Sequence, residues 1–495
     1  MKPALNLLFT TGEASHSPHI ERGEVLNMPV QSRRGRRALW IILALALILR
    51  LIAGLVLDPL APYAARGADS SWYLPNAKSL FVGDALRCES GDPLWQSIPP
   101  EHFLGYRLTF RPHIDCERTH VSHLTPPPVY FIVLGIPQAI LSPAAAVTAV
   151  RVFQALLGAA TCYFAYRMAR RLAGERAGLI AAGILAVHPT FILENAQIAT
   201  ETVFVCFIAA GLAFYLDALA SARRNLALIA LAGALLGAAT LTRAVSLLFP
   251  LGLVFHLCMV YGLLRGGLKR GLTLIAVYAL VVSTWTVYNL ARWDRFVLAG
   301  EGLPAFLYIG AAGWDTPQEL DRQIAEELGV TADERGGRLD YLEAAENRIT
   351  GDPLGYVRYR LGELAGAYLQ PHSTTLFPGE SLRDLSLAWL RDDRSLSGLA
   401  TLVREDYFIP KLVLYGFHFA GLILGAVGMW ITRRVWRFSL PLIGYIAYTT
   451  LVHLVLLALP RYLFPMLMLW WVFAGTALDK AFIVKSEQLT VSSSQ

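Results

Sequence analysis

The sequence predicts an all-α, polytopic membrane protein of about ten transmembrane helices, and three observations carry that reading. Of 495 residues, 55% are hydrophobic and only 16% charged, with a mean hydropathy of +0.47. Soluble domains run near ~25% charged, so this chain has too little polar surface to face water. Apolar stretches of about 20 residues recur, the length that crosses a ~30 Å hydrocarbon layer. Lysines and arginines gather at alternate ends of those stretches, as cytoplasmic loops require. The same composition excludes a disordered, fibrous or small disulfide-rich protein.

Residues 1–37 are polar and without periodicity, and read as a disordered cytoplasmic tail. The first long apolar stretch begins at Ala38 and is long enough to stay as an anchor, so no cleavable signal peptide is expected. The expected spans are 38–57, 147–168, 177–193, 199–219, 226–241, 245–264, 272–290, 412–431, 438–457 and 462–478. A shorter apolar stretch, 129–141, follows Pro126-Pro127-Pro128 and contains Pro137.

Six basic clusters decide the orientation: Arg33/Arg34/Arg36/Arg37, Arg167/Arg170/Arg171/Arg176, Arg223/Arg224, Arg265/Lys269/Arg270, Arg433/Arg434/Arg437 and Lys480/Lys485. If 129–141 crosses the membrane, the clusters after it fall on the wrong side. If it lies in the interface or re-enters, all six are cytoplasmic. The sequence therefore predicts a juxtamembrane or re-entrant helix there, ten spans, and both termini inside. The net charge of +6, 43 basic against 37 acidic residues, is then a matter of topology. Eighteen basic residues sit in those clusters, where they orient helices and meet anionic lipid. No nucleic-acid partner is expected.

The organisation that follows is a tail (1–37), a transmembrane module (38–290) with a first outer loop (58–128), an outer segment (291–410), C-terminal transmembrane helices (411–479) and a second tail (480–495). Residues 315–352 of the outer segment hold eleven acids and four arginines, with apolar residues at helical spacing over 339–349. Short helices on the outer membrane surface are expected there. Cys162, Cys206 and Cys258 fall within spans and read as apolar packing. Cys88 and Cys116 share the first outer loop and are expected to form a disulfide in an oxidising compartment.

Charges at membrane depth are costly and face a cavity or a partner. Asp69, Glu194, Glu201, Arg243 and Arg461 gather at the outer ends of spans, with His120 and His123 ahead of the proline run. Asp69, in Gly67-Ala68-Asp69-Ser70-Ser71-Trp72-Tyr73, suits both a helix N-cap and a general base. Tyr73 follows one helical turn later, placed to shape a pocket. Glu194 reads as a solvated boundary carboxylate. Glu201 lies deeper in apolar sequence and needs a partner: an arginine, a metal or a substrate hydroxyl. Two converging carboxylates could bind a divalent cation, although two ligands do not identify which.

Arg243 and Arg461 break the positive-inside pattern, and guanidinium suits phosphate or carboxylate. An anionic head group is the sharper reading and a snorkelling anchor the plainer one. Arg50 is expected to pair with Asp58 or to snorkel outward, with no catalytic role. His188, before Pro189, reads as a helix-end hydrogen bond, and His372 stays open. No P-loop, dinucleotide fingerprint or Gly-x-Ser-x-Gly elbow is present. Bond-making outside the cytoplasm would therefore use an already activated donor.

The order of these pieces resembles the GT-C glycosyltransferases that use polyprenyl-phosphate sugars, the group of protein O-mannosyltransferases and lipid A aminoarabinose transferases. The resemblance is carried by Gly67-Ala68-Asp69 with Tyr73 and Ala77, then Pro126-Pro127-Pro128-Val129-Tyr130, then Val150-Arg151-Val152 through Arg170-Arg171-Leu172-Ala173-Gly174. His188-Pro189 leading to Thr200-Glu201 follows, then Trp285 and Asn289 with Arg295-Phe296-Val297, and Arg461-Tyr462-Leu463 with Pro465. It departs from the family at Ser70 and Thr125.

The resemblance implies a GT-C-like fold in a bacterial-type inner membrane, with the active site on the periplasmic face. It implies an inverting glycosyltransferase that moves a sugar from a polyprenyl-phosphate donor to a hydroxyl of a lipid, glycan or protein. Asp69 would be the base, Glu201 would orient the acceptor or join Asp69 around Mg or Mn, and Arg461 and Arg243 would hold the donor phosphate. Tyr73, His123 and Tyr462 would line the pocket. A transporter of lipid-linked sugars is the alternative, against which stand the absence of a convincing internal repeat and the one-sided placement of the charges.

Overall fold

The computed structural model describes residues 32–56, 73–74, 77, 127–221, 225–293, 296–300, 302–313, 338–377 and 379–492. The described residues are overwhelmingly helical and include no strand. Asp69, His120, His123 and the expected Cys88–Cys116 disulfide lie outside them.

Seven helical stretches among the described residues, or eight with one bent pair counted as a span, are long and apolar enough to cross a membrane, and each expected span falls on helical segments. They are α1 (Arg33–Val56), α3 (Pro143–Ala173), the pair α4 (Glu175–Val187) and α5 (Pro189–Ala196), α6 (Glu201–Ala220) and α7 (Asn225–Thr240). After a 3-10 turn at Ala244–Ser246 come α8 (Phe249–Tyr261) and α9 (Leu268–Trp293), and at the C-terminus α15 (Phe408–Thr432), α16 (Trp436–Val455) and α17 (Pro460–Ser492). Exposed apolar side chains such as Ile41, Phe255, Leu280 and Ile423 line the outside, the arrangement for a bundle whose solvent is lipid.

Helix α2 (Pro128–Ile140) has 13 residues, about 20 Å at 1.5 Å per residue, and falls short of the bilayer. Its Val129 N–H donates to Leu241 O at the end of α7 (2.9 Å), which fixes it beside the Glu201 end of the bundle.

The pair α4/α5 bends by 51° at His188-Pro189. Proline has no N–H to give the preceding turn, so the carbonyls of Leu185 and Ala186 lose their helical partners. Arg50 supplies the missing donors, to Leu185 O (2.9 Å), Ala186 O (3.0 Å) and Ala46 O (3.0 Å), and is itself fully buried. It therefore neither snorkels nor needs Asp58.

Residues 408–455 form one apolar helical stretch of 48 residues, about 72 Å if straight. They fold back as two spans at the Arg433–Val435 turn. His418 on α15 donates to Tyr368 O (2.7 Å), while Tyr368 OH shares a 2.6 Å hydrogen bond with Thr450 on α16. One tyrosine reaches both helices of the hairpin. Close packing of α15 on α17 requires glycine: a Cβ on Gly428 would lie 2.0 Å from Phe473 O.

The basic clusters meet at one end. There Arg171 Nε pairs with Asp217 Oδ1 (2.7 Å), joined by Arg167, and Arg176 pairs with Asp479 (2.9 Å). Ser32 N and Oγ donate to Glu175 (2.9 and 2.7 Å). Glu201 begins the same helix that carries Asp217, 16 positions earlier, which places it about 24 Å away along the axis.

The outer segment contributes α10 (Leu303–Ala312), α11 (Arg338–Gly351), α12 (Pro353–Leu369), a 3-10 turn at His372–Leu376, α13 (Leu382–Ala388) and α14 (Leu396–Val403). It is stapled to the bundle by Arg360, buried and donating to Leu454 O (3.2 Å), His453 O (2.9 Å) and Gly310 O (3.3 Å). Like Arg50, it satisfies orphan carbonyls at a helix C-terminus. Cys162 and Cys206 are buried and Cys258 half-buried, all as free thiols packed in spans.

Candidate active site

The two most enclosed spans are α6 and α17, with 78% and 67% of their apolar windows buried against 39% or less for the other unbroken spans. Both start at the same place. Glu201 opens α6, Arg461 stands in the first turn of α17, and Arg243 follows α7.

Glu201 is fully buried, and both of its oxygens are taken by arginine. Arg243 Nη1 and Arg461 Nε donate to Oε1, and Arg461 Nη2 donates to Oε2 (3.2 Å). Arg243 Nη1 also donates to Thr200 Oγ1 (3.1 Å). Of the partners open to Glu201 in the sequence, the structure selects arginine. Two guanidiniums thus surround one buried carboxylate. The arginine side chains are only 17% and 19% exposed, so these charges act in a medium where Coulomb forces are weakly screened. Arg243 and Arg461 are thus a joined pair with their geometry set by Glu201, and not snorkelling anchors.

Tyr462 backs the pair, its ring centroid 5.2 Å from the Arg243 guanidinium carbon. His453 stacks on Tyr462 at 5.3 Å and 19°, and its Nδ1 donates to Leu457 O (3.0 Å). Tyr73, expected in the pocket, sets its ring edge against Tyr130 (5.3 Å) and Phe131 (5.6 Å) of α2. Tyr130 in turn lies close enough to feel the charges of Glu201, Glu194 and Arg461.

Two expectations are corrected. Glu194 is not a solvated boundary residue: it is 1% exposed and hydrogen-bonded to His372 Nε2 at 2.7 Å. The chain turns inward at 197–200, and the 3-10 turn of the outer segment closes over it, which removes water from Glu194. That pairing also gives His372 its place. His188 makes no helix-end hydrogen bond, since neither ring nitrogen has a partner. It is enclosed instead by Phe417 (5.0 Å), Phe191 (5.2 Å) and Trp471 (5.6 Å).

Glu201 does not fit the metal-ligand role proposed for it with Asp69. A divalent cation there would sit against two guanidiniums that already use the carboxylate oxygens. Among the described residues no group of three or more His, Cys, Asp or Glu side chains is placed to hold a metal ion.

Residues 125–288, a third of the chain, match the profile of the dolichyl-phosphate-mannose-protein mannosyltransferase family. No curated protein matches the chain in sequence. Among solved structures, the fold matches the oligosaccharyltransferase AglB from Archaeoglobus fulgidus, in complex with an inhibitory peptide and a dolichol-phosphate. The TM-score is 0.50 at 14% identity over 94% of this chain and 52% of AglB. This chain therefore spans about half the length of that protein. ArnT from Cupriavidus metallidurans, bound to undecaprenyl phosphate, aligns over 90% of this chain and 78% of its own, with 14% identity and a TM-score of 0.38.

Proposed function

We propose that this chain, which has the GT-C glycosyltransferase fold, transfers a sugar from a polyprenyl-phosphate donor to an acceptor hydroxyl at the outer face of a bacterial-type inner membrane. The observation that carries the proposal is the convergence of Arg243 and Arg461 on Glu201, at the end of the bundle opposite the basic rim. Basic residues mark the cytoplasmic side, so the arginine pair faces out. Two guanidiniums held side by side at the membrane boundary suit a lipid-linked phosphate.

Arg461 and Arg243 hold the donor phosphate. That phosphate leaves already ionised, so no strong general acid is required, and preorganised guanidiniums stabilise the charge that grows on it. Glu201 acts through them: it keeps two like charges side by side and sets the orientation of both guanidiniums. Asp69 takes the proton from the acceptor hydroxyl, a contribution of about 10²–10⁴-fold for a placed base. Tyr73, His123 and Tyr462 line the pocket. The acceptor oxygen freed of its proton attacks the anomeric carbon opposite the departing phosphate, forming the new glycosidic bond as the sugar–phosphate bond breaks, and so inverts that centre. The acceptor is the hydroxyl of a lipid, glycan or protein.

The test is to give the purified full chain a panel of polyprenyl-phosphate sugars and acceptors and read the product by NMR. An inverted anomeric centre, with transfer lost in Asp69→Asn, is the expected result. A retained configuration would end the mechanism. Lipid-linked sugar crossing vesicles without being consumed would favour the transporter.

A further inference from the structure

Gln154 lies within α3, between apolar Phe153 and Ala155, and is fully buried. An amide in that position is costly unless its hydrogen bonds are made. Both ends of the amide are engaged. Gln154 Nε2 donates to Asn195 O (3.0 Å) and Gln197 O (2.7 Å), while its Oε1 accepts from Tyr130 OH (3.1 Å). Two carbonyl acceptors can be served only by the NH₂ end, which fixes the amide's orientation.

Those carbonyls belong to the break between α5 and α6. Residues 197–200 are not helical, so their backbone has lost the ladder that would hold it. The next residue is Glu201. On the other side, Tyr130 supports the ring of Tyr73 at 5.3 Å, and Tyr73 stands four residues after Asp69 in the sequence. A single buried amide therefore ties α3 and α2 to the turn that delivers Glu201.

We propose that Gln154, held by Tyr130, is a positioning residue: it fixes the height and rotation of Glu201 and, through it, the paired arginines. Gln154 touches no substrate. Its effect on donor binding rests on the function proposed above, whereas its hold on the 197–200 break does not.

The experiment is a double-mutant cycle on the full chain in detergent, using a short-chain polyprenyl phosphate as binding probe, with hydrogen–deuterium exchange alongside. Gln154→Leu should weaken probe binding about 10-fold, the equivalent of one to two lost hydrogen bonds. In a Glu201→Gln background the same change should add less than about 2-fold, because both act on one element. Tyr130→Phe, which keeps the ring and removes only the hydroxyl, should weaken binding by about 3-fold. Amides of 195–204 should exchange at least about 10-fold faster in Gln154→Leu, with those of α7 and α15 unchanged.

Losses that multiply in the double variant would make Gln154 a general packing residue and overturn the proposal. Unchanged exchange at 195–204 overturns it too. If the wild type binds no polyprenyl phosphate, the donor reading of the site falls, and the exchange result alone decides whether Gln154 holds the break.

Discussion

Glu201 is the residue on which the site turns, because it is a fully buried anion held between two cations. Removing one partner of such a set leaves an uncompensated charge, at about 3–5 kcal/mol. Glu201→Gln is therefore expected to lower the thermal midpoint in detergent by several degrees and to splay the arginines. An unchanged midpoint would show that the arginines do not depend on it. The need for a partner at Glu201 is legible in the sequence, since a carboxylate in an apolar run cannot stay bare. The partner's identity is not, because Arg243 and Arg461 stand 42 and 260 positions away. Glu194 misleads for the opposite reason. It looks like a boundary acid, and only the return of His372 from 178 positions downstream buries it. Gln154 carries no charge, so a search for misplaced charges passes over it, although a lone amide in an apolar span is as strong a sign.

At the scale of elements, two breaks shape the bundle, and each has its own polar brace. Arg50 serves the carbonyls freed at His188-Pro189, and Gln154 serves those freed at 197–200. Arg50→Met keeps the length and removes the donors. It should cost about 1–3 kcal/mol for the carbonyls left unsatisfied and raise protease sensitivity near 185–190. Full resistance at the wild-type denaturation midpoint would contradict that role. The outer segment depends on an equally local contact: a Cβ on Gly310 would fall 1.7 Å from Leu456 O, so backbone meets backbone there. Gly310→Ala should detach α10 from the end of α16 and expose 303–313 to limited proteolysis, with the spans left intact. An unaltered digestion pattern would refute the contact. The proline after His188 is visible in sequence, and the helix break follows from it. The side chain that fills the break is not, since Arg50 comes from a different helix.

For the whole molecule, the composition and the spacing of the apolar stretches are enough to give an all-helical protein of many membrane-spanning helices, because both depend on chain-local quantities, length and apolar content. What they leave open is which outward charges meet, a matter of packing between distant helices. The basic rim and the Glu201 cluster at opposite ends of α6 predict a specific labelling pattern in right-side-out cells. A cysteine at Leu298 should react with a membrane-impermeant maleimide, and one at Leu264 should react only after permeabilisation; the reverse pattern would invert the topology. The central claim is that the Arg243–Glu201–Arg461 cluster seats the phosphate of a lipid-linked sugar donor. Its most direct test is the turnover of polyprenyl-phosphate sugar by wild type and Arg461→Ala in proteoliposomes, measured across donor concentration. The account predicts consumption by the wild type and an apparent donor affinity at least about 10-fold weaker in the variant, the scale of a lost charge-assisted hydrogen bond. Equal donor affinity in the two proteins would contradict it.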